Sequence, residues 1–177
     1  SINAMAYVRG LPHDFDDWAR AGAEGWNWTK VRDTYQALET HSDGMGDGPV
    51  WVQDLSDQMH PFSDHFLQAA QEAGLGTAKD MNAEGAEGLS HYRSTVRGGM
   101  RWSSADAFLR PALRRPNLTL LTRAEVQGLD LEGARVVGLQ YTRGGQRCTA
   151  RAGEVILSAG SINSPQLLQL SGIGRAN

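Results

Sequence analysis

Residues 154–177 place the strongest constraint on what this chain can fold into. Glu154-Val155-Ile156-Leu157-Ser158 has the character of a buried strand, and it runs through Ala159-Gly160 into a helix. Ser164 followed by Pro165 makes a cap and first-position pair, and Gln166–Leu170 continue the helix to a stop at Ser171-Gly172. A buried strand entering a helix through a glycine turn is what a parallel α/β sheet uses, and one βα unit cannot make a sheet alone. This terminus is therefore expected to be a piece of a larger sheet. The ends agree: the chain opens Ser1-Ile2-Asn3-Ala4 without a methionine and stops at Arg175-Ala176-Asn177, so its 177 residues are expected to measure a fragment.

The earlier segments read differently. Asp14 is placed to cap a short helix through Asp16, Asp17, Trp18 and Arg20, with Gly22 as its stop. Thr29 is placed to cap a second, whose Val31, Tyr35 and Leu38 recur on one face. The stretch Asp43–Gly48 turns as a loop, and Pro49-Val50-Trp51-Val52 is a short strand. Pro61 opens a helix with Phe62, Phe66, Ala69 and Ala73 on one face until Gly74. Residues 74–101 are glycine-rich and mainly loop, with strand character at 90–96.

Ser103-Ser104-Ala105-Asp106 is a capping-box pattern, Ser103 offering an oxygen to the first turn and Asp106 returning the bond. Phe108, Leu109 and Leu113 give that helix its buried side before Arg114-Arg115-Pro116 breaks it. Strand-like runs follow at Leu118–Leu121, Val126–Leu131, Val136–Tyr141 and 146–151. Turn signals at Glu132-Gly133 and Gly144-Gly145 join them as antiparallel hairpins.

Composition and motif spacing exclude several classes. With 40% hydrophobic and 21% charged residues, disordered, collagen-like and disulfide-scaffold readings lose support. No run approaches the roughly 20 apolar residues of a membrane helix, and no secretory leader is visible, so a cytoplasmic location is expected. The single cysteine, Cys148, supplies neither an intrachain disulfide nor a multi-thiolate metal site. The five histidines (His13, His41, His60, His65, His91) form no ligand pattern, and His60 and His65 miss the i, i+4 spacing of a zinc helix. They are expected to be exposed or capping, with no metal. There is no Gly-x-Ser-x-Gly elbow, and Ser161 and Ser171 have no assignable base, which argues against a serine hydrolase. The glycines of 44–48 lack dinucleotide-fingerprint spacing and read as a plain surface loop.

Charge is unevenly spread. Residues 11–92 hold 15 acids against 4 bases, whereas residues 93–151 hold 11 arginines against 4 acids. The halves can attract each other, or the basic half can face an anion such as a phosphate. A peripheral membrane attachment through these arginines is a further alternative. They sit in no readout motif, so no nucleic-acid partner is expected.

Two segments are far more specific. Gly160-Ser161-Ile162-Asn163-Ser164-Pro165-Gln166-Leu167-Leu168-Gln169-Leu170-Ser171-Gly172-Ile173-Gly174 couples a small-residue turn to a helix N-terminus whose free N–H groups suit an anion. It resembles the second signature of the glucose–methanol–choline (GMC) oxidoreductase family. Ile2-Asn3-Ala4-Met5-Ala6-Tyr7-Val8-Arg9-Gly10, with Asp16 beyond, resembles the second half of that family's first signature, and Ser1 is what remains of the preceding glycine-serine run. Between them, Gly25-Trp26-Asn27-Trp28, Gly48-Pro49-Val50, Asp80-Met81-Asn82, Arg115-Pro116-Asn117-Leu118-Thr119 and the Arg101–Leu109 helix are also similar to the family. The resemblance spans the whole chain.

The resemblance implies an enzyme that binds FAD in a Rossmann-like domain and oxidises a CH–OH group by hydride transfer, passing electrons to oxygen or another acceptor. Carried over residue by residue, Asn3, Ala4 and Met5 fall where family members run along the flavin. Ile2 stands where some members carry a histidine covalently linked to FAD, which implies a non-covalent cofactor. Val126, in Ala124-Glu125-Val126, falls where the backbone faces the adenine, and Ala159 and Gly160 match the small turn against the cofactor. From residue types alone, Val126 reads equally as core, Met5 as packing and Ala4 as a helix former. The small side chain of Ala4 would leave room beside the flavin for an unbranched alcohol.

Departures from the family pattern matter as much. The N-terminal Gly-x-Gly-x-x-Gly that holds the FAD pyrophosphate has no counterpart here. Neither has the C-terminal region with the catalytic histidine and its neighbouring histidine or asparagine. The hydroxyl proton needs a base, and none of the five histidines lies in the matching motif, so no catalytic residue is assigned.

The expected fold is an α+β or α/β fragment. Residues 1–10 form the tail of the FAD motif, 11–101 a helical and loop substrate-side region, 102–152 a helix plus antiparallel meander, and 153–177 one βα unit of a Rossmann-like FAD sheet. The expected function is that of an internal piece of an FAD-dependent alcohol dehydrogenase or oxidase. Its partners are a small-molecule alcohol, aliphatic first and choline second, and an electron acceptor. Alone the piece is expected to be inactive and free of FAD, and to dimerise through exposed apolar faces. The alternative is a stand-alone binding or interaction module that kept the fold without the catalysis.

Overall fold

Residues 3–174 are described in the computed structural model, and they fall into two units that divide between Leu118 and Thr119. Ile2, the residue bearing on covalent attachment, lies outside the described residues.

The first unit begins with strand β1 (Ala6–Tyr7) and helices α1 (Pro12–Arg20) and α2 (Trp28–Leu38). Pro12, with its backbone angle preset, starts α1 two residues before the expected cap. Asp14 therefore acts from inside the first turn, accepting the Leu11 N–H at 2.9 Å. In α2 the cap is Asn27, not Thr29; its side chain accepts the Lys30 N–H at 3.2 Å. Asparagine outranks threonine as a cap because its oxygen reaches the first-turn N–H groups more readily. Phe15 is the buried hub between the helices, with ring centroids 5.2 Å from Trp18, 5.7 Å from Trp28 and 6.2 Å from Tyr35. Such pairs add about 0.5–1.5 kcal/mol each beyond area burial.

Strand β2 (Glu39–His41) leaves α2 directly and pairs in parallel with β3 (Val50–Val52), in the register Glu39↔Val50 to His41↔Val52. The intervening loop lies on the surface, as expected at 44–48, and two of its glycines fold back tightly on the end of α2 and the start of β2. A Cβ on Gly48 would lie 2.1 Å from the Leu38 carbonyl carbon, and one on Gly46 2.2 Å from the Glu39 oxygen. Only glycine admits that approach.

Beyond β3, Gln53 exchanges two backbone hydrogen bonds, 2.8 and 2.9 Å, with Ser94 of β4 (Arg93–Ser94). Strand β4 pairs antiparallel with β1. A hairpin of β5 (Val96–Arg97) and β6 (Met100–Arg101) turns at Gly98-Gly99, both with positive φ as a two-residue hairpin requires. The strand character expected at 90–96 is thus realised as short pieces.

Two helical faces differ from expectation. In α3 (Phe62–Glu72), Phe62 and Phe66 are 69% and 60% exposed, and Ser63, Leu67 and Ala70 turn inward. The helix has apolar residues on adjoining faces, and this unit covers only the one with Leu67 and Ala70. A π-helical turn, Ala105–Leu109, runs into the short helix α4 (Arg110–Ala112). Its wider turn changes the angular positions, so Ala107 is buried and Phe108 and Leu113 are exposed. The Ser103 hydroxyl donates to Asp106 Oδ2 at 2.6 Å instead of capping the first turn, and Asp106 also accepts the Ser103 N–H at 3.0 Å.

The second unit holds the antiparallel meander β7 (Ala124–Glu132), β8 (Arg135–Arg143) and β9 (Gln146–Arg151), in that order. Gly144 and Gly145, at φ 57° and 79°, form the tight β8–β9 turn. Helix α5 (Gly160–Leu170) contacts β7, and among the described residues Leu129 and Leu167 are the buried apolar ones of this unit. The helix starts five residues before Pro165, so Ser164 is not its cap; the Ser164 hydroxyl accepts the Ala159 N–H at 3.0 Å.

Leu118–Leu121 and Glu154–Ser158, both expected as strands, carry no ladder, and Ile156 is 80% exposed. Apolar runs become strands only where a neighbour pairs with them, and among the described residues none adjoins either run. The architecture is thus a mixture of helices and small sheets.

Candidate functional site

The expected cofactor residues divide between the two units: Asn3, Ala4 and Met5 in the first, Val126, Ala159 and Gly160 in the second. In the first, Ala4 and Met5 both lie in the left-handed region, at φ 53° and 64°. This contradicts the helix-former reading of Ala4. Each such non-glycine residue costs roughly 1–2 kcal/mol, so the turn must be held from outside. The Asn3 side chain does part of this: its oxygen accepts the Met5 N–H at 3.2 Å and its amide donates to the Ala6 carbonyl at 2.9 Å. From the other side, Thr95 donates its N–H to the Met5 carbonyl at 2.9 Å.

Directly behind β1 lies a buried polar cluster centred on Glu39, which is 1% exposed. Its carboxylate accepts from the Tyr7 hydroxyl, from Arg9 Nε at 2.9 Å and from Arg9 Nη2. His41 Nε2 completes the shell at 2.7 Å. Arg93 Nη1 lies 3.0 Å from His41 Nδ1, and a guanidinium can only donate, so Nδ1 accepts and Nε2 carries the hydrogen toward Glu39. Asn82 ties in the backbone, accepting the Arg9 N–H at 2.7 Å and donating to the Tyr7 carbonyl at 3.1 Å.

Electrostatics follow from this geometry. Burial pushes the Glu39 carboxyl up, but hydrogen bonds from Arg9, Tyr7 and His41 outweigh it and hold the group below its ordinary value. Burial, reinforced by the bond to Glu39, drives the Tyr7 phenol far above its own, so Tyr7 stays a donor.

An open cavity of about 320 Å³ adjoins the turn, lined by Asn3, Val50, Thr95, Trp102, Ser103 and Phe108 among others. Nearby, the Arg97 guanidinium is stacked on two indoles, 4.6 Å from the Trp51 centroid and 4.9 Å from that of Trp102. Trp102 is fixed by its indole N–H bond to the Pro49 carbonyl, 2.9 Å.

In the second unit Val126 sits on β7 opposite Tyr141, beside a bulge, and is exposed and not core. Ala159 and Gly160 open α5, with Gly160 at φ 93° and nothing within 4 Å of where its Cβ would be. The whole first turn, Gly160 through Asn163, is exposed.

Of the five histidines, His13 and His65 are exposed as expected, and His41 and His91 depart from expectation. His60 does cap, its Nδ1 accepting the Phe62 N–H at 3.1 Å. His41, by contrast, is buried in the Glu39 cluster, and His91 is largely covered, 3.6 Å from Asp64. Among the described residues no three His, Cys, Asp or Glu side chains gather as a metal site. The cluster escaped the sequence reading, although a signal was present. Tyr7/Arg9 and Glu39/His41 are polar pairs at period two, the spacing that sends both members of a strand to one face.

The family profile of the GMC oxidoreductases matches residues 1–177. Mitochondrial choline dehydrogenase of Mus musculus is 46% identical over 187 residues, taking in 100% of this chain and 30% of that protein. The oxygen-dependent choline dehydrogenase of Brucella anthropi is 41% identical over 182 residues, covering 99% of this chain and 33% of its own. The crystal structure of pyridoxine 4-oxidase from Mesorbium loti superposes with a TM-score of 0.86 at 34% identity, over 97% of this chain and 35% of that one. The chain thus spans about a third of the length of these relatives. With the family profile matched from end to end, this chain belongs to the GMC oxidoreductase family.

Proposed function

We propose that the chain supplies the flavin-facing turn and part of the substrate side of an FAD-dependent enzyme that oxidises the CH–OH group of a small alcohol. The observation that carries this reading is the left-handed pair Ala4-Met5, held by Asn3 and Thr95. Strain of that kind persists where surrounding structure over-determines it, and it concentrates at ligand clamps and active sites.

The residues present fit the cofactor. The exposed turn offers backbone and the small Ala4 side chain to a flat ring. The open first turn of the eleven-residue α5 offers N–H groups to a negatively charged or electron-rich part of the cofactor. When bound, FAD supplies a two-electron acceptor for the hydride of the alcohol carbon. Asn3 holds the turn, Ala4 leaves space for an unbranched chain, the Val126 backbone faces the adenine, and Ala159-Gly160 admit close approach. The unpaired runs 118–121 and 154–158 become strands of the FAD-binding sheet when neighbouring strands are present. No residue of this chain takes the hydroxyl proton, and the 177 residues alone are inactive and flavin-free.

Choline moves ahead of aliphatic alcohols as substrate, supported by relatives named as choline dehydrogenases at 41–46% identity. The test is the full-length protein, assayed for extractable flavin and for oxidation of choline and unbranched alcohols with oxygen or an artificial acceptor. Near-stoichiometric flavin with alcohol oxidation is expected, and Asn3→Ala should weaken flavin binding. A colourless, flavin-free protein overturns the reading.

A further inference from the structure

Strand β1 has only two residues, and its ladder to β4 is two pairs long, Ala6↔Ser94 and Tyr7↔Arg93. So short a ladder cannot by itself fix a preceding turn that carries two left-handed non-glycine residues. The order of contacts shows what does. Strand β2 pairs with β3, Gln53 beyond β3 pairs with Ser94, and β4 pairs with β1. The Glu39 carboxylate then reaches from β2 to Tyr7 and Arg9, joining the first member of that series to the last. The four short strands are closed into a ring by one side chain, and the Asn3–Met5 turn issues from the closure point.

We propose that Glu39 is a positioning residue: through Tyr7 and Arg9 it holds the Asn3–Met5 turn in its left-handed form and so sets the face that the turn presents to the flavin. The inference rests on the flavin reading above for what the turn faces, but not for the anchoring itself. Every polar atom of the carboxylate is used within the cluster, so Glu39 acts at a distance and touches no ligand. Removing its charge leaves the Arg9 guanidinium, a partner already withdrawn from water, without its counter-ion.

The test compares wild-type, Glu39→Gln and Tyr7→Phe forms of the full-length protein. Tyr7→Phe removes one donor and keeps the ring, so it reports even where Glu39→Gln fails to fold. Hydrogen exchange in the apoprotein is read at the amides of Met5, Ala6 and Thr95, with the α3 amides of the same unit as reference. FAD affinity and the shape of the flavin absorption band are read in the holoprotein. Exchange at the three amides is expected to rise about tenfold with α3 unchanged, alongside an FAD Kd raised about tenfold and an altered band. Unchanged exchange at those amides, an equal rise across α3, or wild-type flavin affinity and band shape in both variants overturns the proposal. A wild-type protein that takes up no flavin overturns the flavin reading, and the exchange ratio then decides the anchor alone.

Discussion

The backbone N–H of Leu129 donates to the Ser171 hydroxyl at 2.9 Å, across the junction between the bulged strand β7 and the end of α5. The same hydroxyl donates to the Leu167 carbonyl at 2.6 Å, so one small side chain serves a strand and a helix together. Ser171→Ala should leave the Leu129 N–H without a partner in a covered position. The expected loss is about 1–2 kcal/mol, measured by urea unfolding, with Ser171→Thr restoring most of it.

Relief of backbone strain gives an opposite sign. Ala4→Gly and Met5→Gly each remove a left-handed penalty, partly offset by the entropy of the unfolded chain. Each should raise stability by about 0.5–1 kcal/mol, whereas Asn3→Ala should lower it by a similar amount. Thermal melts of the three variants check the pattern.

Gly48 is a packing residue. An added Cβ would overlap the Leu38 carbonyl group and the Glu39 nitrogen, at 2.1–2.4 Å. Gly48→Ala is expected to cost about 2–4 kcal/mol, and Gly76→Ala, where the backbone is not left-handed and an added Cβ meets only ordinary contacts from 3.5 Å, far less. Comparing their urea midpoints separates crowding from generic loop effects.

Acid should loosen the Glu39 cluster. Its carboxyl is held below its ordinary value of 4.5, so the stabilisation is present above that pH and fades as pH falls through the folded-state value. In alkali the sign reverses for Tyr7, whose raised phenol favours the fold below its ordinary value of 10.0 and loses that advantage as pH climbs beyond it. Unfolding free energies across the pH range should show both limbs, and Glu39→Gln should flatten the acid one.

How much of this was legible depended on whether the deciding partner lay nearby in sequence. The meander was readable because alternation and Gly144-Gly145 are local signals, and the period of α2 placed Val31, Tyr35 and Leu38 half-buried as expected. Thr29 was passed over because Asn27, two residues earlier, makes the better cap. Phe62 and Phe66 misled because period alone does not say which of two apolar faces finds cover. The family resemblance singled out Asn3–Met5, but the left-handed conformation of Ala4 and Met5 was not legible, since alanine and methionine carry no preference for positive φ. The period-two pairs Tyr7/Arg9 and Glu39/His41 hinted at polar strand faces, but the joining of the two pairs through Glu39 was not readable, because Arg9 and Tyr7 lie 30 and 32 residues from it.

The unladdered runs 118–121 and 154–158 carry a practical consequence. Apart from the Leu118 N–H, which bonds the Arg115 carbonyl, their backbone N–H and C=O groups have no ladder partner among the described residues, and Val155-Ile156-Leu157 is a short β-prone stretch of low charge. Produced in isolation, this chain should self-associate by edge-to-edge strand addition, with a concentration limit set by these two stretches and not by its net charge of −3. A lysine at Ile156, the most exposed of them, is the substitution that should keep it in solution.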